Sequence, residues 1–132
     1  MATVRKEIHL DIPPQRAWDA LRDWGAPHTR LVPGFVTQTE LDGDDRIVTF
    51  FNGLVARERL VTLDERRRRL VWSIVEGAYA HHNGSAEVLD DGNGGTRFVW
   101  TSDVLPGDPA MTEHLDVMME RGIGVIGETL SA

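Results

Sequence analysis

Between Phe35 and Val104 the chain carries six apolar, β-branched and aromatic runs, each closed by turn-forming residues at intervals of roughly ten, and few folds tolerate that punctuation. Residues 35–41 run into Asp42-Gly43-Asp44-Asp45, 46–51 into Asn52-Gly53, 54–63 into Asp64-Glu65-Arg66, 70–76 into Gly77 and 79–89 into the stretch from Asp90 to Gly95; residues 96–104 close the series. Parallel neighbours need crossovers of about a dozen residues or more, so these short connections predict six consecutive antiparallel strands. The Asn52-Gly53 pair, which tolerates positive φ, predicts a tight hairpin.

The flanks complete the design. Val4, Ile8, Leu10 and Ile12 alternate with Arg5, Glu7, His9 and Asp11, the pattern of a half-buried strand. Pro13 and Pro14 end it, and Ala17, Leu21 and Trp24, with Trp18 beside them, recur at the spacing of a short amphipathic helix. Gly25, Pro27, Pro33 and Gly34 restrict residues 28–32 to a turn or a short second helix. After Pro106-Gly107, Asp108 is placed to cap a helix whose first residue is Pro109. Met111, Leu115, Met118, Gly122, Val125 and Ile126 form one stripe of that helix, which would run to Leu130 and measure roughly 33 Å. Gly122, Gly124 and Gly127 each weaken it by about 1 kcal/mol, so its second half either packs closely or is loose.

Together these elements predict a single α+β domain over residues 1–132: a curved seven-stranded antiparallel sheet, two short helices, and a long C-terminal helix across the concave face. Curvature keeps the helix from touching the sheet everywhere. The gap between them is the expected pocket.

Composition narrows the function. The chain is 41% apolar, but no run of about 18 apolar residues exists to span a bilayer. Residues 1–11 lack the continuous hydrophobic stretch of a secretory signal, so a cytoplasmic location is expected. The absence of cysteine excludes disulfides, thiolate metal sites and a thiol nucleophile. A net charge of −7, with basic residues gathered only at Arg66, Arg67, Arg68 and Arg69, argues against a nucleic-acid partner. Ser73, Ser85, Ser102 and Ser131 lie in no G-x-S-x-G elbow, and no phosphate loop or dinucleotide fingerprint occurs. His81 and His82 are adjacent on a strand and point to opposite faces, so they cannot share a metal; neither metal nor cofactor is expected.

The order of elements and the stretches EIHLDIPPQRAWDALRDW, LVPGF, NGLVARERLVTLD, RRLVWSIVEG and GGTRFVWTSDVLP resemble the polyketide cyclase/dehydrase branch of the START-like (SRPBCC, birch-pollen-allergen-like) superfamily over nearly the whole chain. That resemblance implies the helix-grip fold with a cavity under the C-terminal helix. It also implies a function drawn from hydrophobic-ligand carriers, aromatase/cyclases and hormone receptors.

Strand alternation assigns candidates to the cavity. Phe98, Trp100, Ser102 and Val104 share one side of the last strand; Leu70, Trp72, Ile74 and Glu76 share a side of theirs, as do His82, Gly84, Ala86 and Val88. For the strand after Asn52-Gly53 two sets compete: Leu54, Ala56, Glu58 and Leu60 against Val55, Arg57, Arg59, Val61 and Leu63. The ligand-lining candidates are Trp72, Ile74, Phe98, Trp100 and Ser102 from the sheet and Met111, His114, Leu115 and Met118 from the helix. His82 and Glu76 are the candidate catalytic pair, since a histidine in an apolar pocket can act as general acid or base or hydrogen-bond a ligand oxygen. The plainer readings are that His82 is a satisfied wall residue and that Met111, Met118 and Met119 are core.

Glu58 and Glu76 are read either as buried carboxylates or as exposed strand acids paired with Arg57 or Arg59. Asp103 is read as a turn or cap residue, Trp18 and Trp24 as packing, and the arginine run as a solvated hairpin tip. The chain is thus expected to bind a small hydrophobic molecule, aromatic or polyketide-like. The alternatives are a cyclase, aromatase or dehydratase using His82, and a structural domain with a filled cavity. A homodimer is left open.

Overall fold

In the computed structural model, which describes residues 2–132, the expected elements occur in the expected order. These are β1 (Ala2–Leu10), α1 (Pro14–Leu21), α2 (Pro27–Arg30), β2 (Val36–Asp42), β3 (Asp45–Phe50), β4 (Val55–Asp64), β5 (Arg69–Glu76), β6 (His81–Asp90), β7 (Thr96–Leu105) and α3 (Pro109–Ser131). The seven strands form one curved antiparallel sheet in the order β1-β7-β6-β5-β4-β3-β2. The meander accounts for every neighbour except the first. β1 pairs with β7 from Ala2↔Val104 to Leu10↔Thr96, which sets the first strand beside the last. None of the helices is long and apolar enough to cross a membrane among the described residues.

The hairpin at Asn52-Gly53 is wider than expected. Only Gly53 has positive φ, at 87°, and residues 51–54 form the connection, with the Phe50 amide donating to the Leu54 carbonyl at 2.8 Å. The turn still sets the register, placing Arg46 opposite Glu58. Arg121 of α3 lies over Phe51 of this loop, 3.8 Å from its ring centroid, and so ties the hairpin to the helix.

Trp18 is fully buried, and its indole donates to Glu65 Oε2 at 2.7 Å; Arg22 donates to the other oxygen. The tip between β4 and β5 is therefore docked on α1 through Glu65, more than the solvated turn its arginines suggest. Lys6 departs from the β1 alternation. It shares a face with Val4 and Ile8, yet its ammonium reaches Asp116 at 2.8 Å and Glu120 at 2.9 Å on α3, which lets a charged group sit under the helix.

Asp108 caps α3 through Oδ1, accepting from the Ala110 and Met111 amides at 2.9 and 3.2 Å. Of the two outcomes open to the glycine-containing half, close packing is the one found. A Cβ at Gly122 would lie 2.7 Å from Trp100 Cζ3 and 3.2 Å from Phe35 Cε2, so only hydrogen lets the helix settle on that indole. Met119, Gly122, Ile123, Ile126 and Leu130 are the buried residues of α3; none of the ten before Met119 is buried. The helix is thus seated by its C-terminal half.

Substituting Gly122→Ala is expected to cost a net of about 1–2 kcal/mol, because overpacking against Trp100 outweighs the gain in helix propensity. Gly124→Ala, with open space around it, should instead gain up to about 1 kcal/mol. Urea denaturation of the two variants checks the contrast; equal stabilisation by both would mean that Trp100 yields freely.

Candidate functional site

Between α3 and the concave face lies a cavity of about 510 Å³, within the usual range for small-molecule sites. The sheet contributes Trp72, Ile74, Phe98, Trp100 and Ser102, and the helix contributes His114, Leu115 and Met118, with Met119 deeper in. Met111 lies off this wall. It borders a smaller recess with Ala78, Tyr79 and His114, and its carbonyl accepts the Tyr79 hydroxyl at 2.7 Å. The first turn of α3 rises past the cavity there, so Met111 meets the loop between β5 and β6. Glu76 is exposed and stands at the rim.

Alternation in β4 resolves in favour of Ala56, Glu58 and Leu60 facing inward, while Leu54 and Val55 edge the mouth. Glu58 is then neither exposed nor paired with Arg57 or Arg59. Those arginines lie on the other face, where they hold Asp45 at 2.9 and 2.8 Å and keep its carboxyl down at about 2. Glu58 instead receives Arg46 Nε at 2.8 Å, and the two residues are 5% and 7% exposed.

Arg46 Nη1 also donates to the Trp24 carbonyl at 3.2 Å, and the guanidinium lies 3.8 Å from the Trp24 ring centroid and 5.8 Å from that of Trp72. Trp24 therefore does more than pack: it forms the platform on which a cavity-lining cation is held. Arg46 was absent from the sequence candidates. Its signal was the shared face of Arg46, Val48 and Phe50, with the hairpin register setting it across from Glu58.

His82 Nε2 lies 3.3 Å from Ser102 Oγ, and the Tyr79 ring meets the imidazole edge-on with centroids 5.4 Å apart. Burial, assisted by the charge of neighbouring His81, pushes the His82 pKa down to about 4. At neutral pH the ring is uncharged and offers a hydrogen bond. No carboxylate contacts it to orient it as a proton shuttle among the described residues. Asp103 serves as neither cap nor turn residue: it accepts the Thr3 hydroxyl at 2.6 Å across the β1–β7 pair.

The depressed His82 pKa links stability to pH. The unfolded imidazole takes up its proton near 6.5 and the folded one only near 4. This contribution is therefore complete above pH 6.5 and is lost as pH falls to 4, amounting to about 3 kcal/mol at most. His82→Gln should flatten the fall between pH 6.5 and 4 relative to the wild-type chain. Urea unfolding at several pH values reads the difference, and parallel curves would place the imidazole in water.

No three His, Asp or Glu side chains gather within metal-binding reach among the described residues. Residues 1–126 match the family described as polyketide cyclase / dehydrase and lipid transport. The chain belongs to that family.

Solved structures agree with this member of the polyketide cyclase / dehydrase and lipid transport family in fold. An uncharacterized protein from Bacillus thuringiensis superposes with a TM-score of 0.86 at 12% identity, covering 98% of each chain. The protein XoxI from Bacillus cereus gives 0.87 at 14%, covering 98% of this chain and 96% of its own. A protein from Thermobifida fusca gives 0.82 at 24%, covering 98% and 93%. No curated protein matches the chain.

Proposed function

We propose that this family member is a binding module that holds a small hydrophobic molecule, aromatic or polyketide-like, between α3 and the sheet. The observation that carries the reading is the cavity of about 510 Å³ with two indoles, Trp72 and Trp100, on an otherwise largely aliphatic and aromatic wall. Flat apolar walls suit a flat apolar guest, and the few polar groups, Arg46, Glu58, His82 and Ser102, suit its oxygen substituents.

The enzyme reading asks His82 to move protons. An imidazole with pKa near 4 is a weak base at neutral pH, and its nearest polar partner is a serine hydroxyl, so binding accounts for it better. The test is thermal denaturation of the purified chain against a panel of polycyclic aromatic compounds, together with native mass spectrometry of the protein as isolated. A binder gains about 2.7 kcal/mol at a ligand concentration one hundredfold above Kd. A panel without any shift, with no copurifying mass, would oppose the reading. Turnover of a poly-carbonyl substrate, abolished in a folded His82→Ala variant, would reinstate the enzyme.

A further inference from the structure

Arg46 and Glu58 form a charged pair sealed almost completely from solvent within a largely apolar cavity. Burial of such a pair is poorly explained by stability, because desolvating each ion costs several kcal/mol and apolar replacements of similar volume often serve as well. Its hydrogen bonding is also incomplete. Nε is engaged by Glu58 Oε1 and Nη1 by the Trp24 carbonyl, while Arg46 Nη2 and Glu58 Oε2 have no protein partner among the described residues. The guanidinium carbon lies 3.8 Å from the Trp24 ring centroid, and this contact together with the two hydrogen bonds restricts where the remaining N–H groups point.

We infer that the Arg46–Glu58 pair is the polar anchor of the cavity and selects ligands that end in a hydroxyl over ligands that end in a carboxylate or an ammonium. The inference rests on the cavity being a binding site. A hydroxyl oxygen accepts from Nη2 and its hydrogen donates to Oε2, so one group satisfies both unused positions. The pair has no net charge to offer. A carboxylate accepting from Nη2 brings its own charge against Glu58, and an ammonium donating to Oε2 meets Arg46; both repulsions are strong where water is scarce. An apolar end leaves donor and acceptor unsatisfied, which is the situation that gives buried polar sites their discrimination.

The test uses four probes on one ring system with the full chain: pyrene, pyrenemethanol, pyrenecarboxylate and pyrenemethylammonium, titrated by fluorescence. Pyrenemethanol is expected to bind tightest, about tenfold or more above the carboxylate and the ammonium. Glu58→Gln keeps the shape and a hydrogen bond to Arg46 but removes the negative charge. It should raise affinity for pyrenecarboxylate about tenfold relative to that for pyrene. Should that variant not fold, Arg46→Lys keeps the charge, loses the planar fork, and should lower pyrenemethanol affinity about tenfold relative to that for pyrene. Equal binding of the alcohol and the carboxylate by the wild-type chain, with pyrene bound, overturns the anchor and spares the cavity reading. Failure of all four probes to bind overturns both.

Discussion

Glu58→Ala is expected to destabilise the protein by about 3–5 kcal/mol. The substitution strands the Arg46 guanidinium, 7% exposed, against two indoles with one hydrogen bond, to the Trp24 carbonyl, where it had two. The cost comes from the orphaned cation more than from the pair itself. The double variant Arg46→Met with Glu58→Leu removes both charges and fills the same space, so it should return to wild-type stability or exceed it by about 1–4 kcal/mol. Urea unfolding of the single and double variants, read as a double-mutant cycle, measures the coupling. A single variant within about 1 kcal/mol of wild type would mean that water reaches the guanidinium from the cavity.

Trp18→Ala should cost a similar amount, about 3–5 kcal/mol, for a different reason. The side chain is wholly buried in the packing of α1 on the sheet, and its indole N–H is one of two donors that hold Glu65 and so the β4–β5 tip. Truncation leaves a void in the core and loosens that tip at once. Trp18→Phe, which keeps most of the ring but no donor, should lose far less. If the two variants unfold at the same urea concentration, the hydrogen bond to Glu65 carries the effect and the ring volume does not.

The fold was legible because its signals are local. Turn residues at each strand end, Pro14 and Pro109 at helix starts and Asp108 as a cap each act within a few residues of themselves. Cavity-facing positions such as Trp72, His82, Phe98 and Trp100 were legible for the same reason, since their strands alternate cleanly. Arg46 was not, and Glu58 stayed open between two faces, because apolar alternation is the evidence for an inward face and both residues break it. In β3 the inward set contains an arginine while Ile47 sits on the outer set, so hydropathy alone cannot choose. Lys6 fails in the same way, its inward position made tolerable by acids that lie 110 and 114 residues farther along the chain. Met111 misled for a geometric reason: a helix stripe continues past the end of the surface it covers. Long-range pairing and the finite length of the cavity are tertiary facts.

The unequal seating of α3 separates two traits that single-core proteins usually have to trade. Within α3 the buried residues begin at Met119, whereas Leu115 and Met118, which line the cavity, precede it and are only half-buried. Substitutions at those two positions can reshape the cavity with little penalty to integrity, so its volume and lining can drift in one stretch while the remainder stays unchanged.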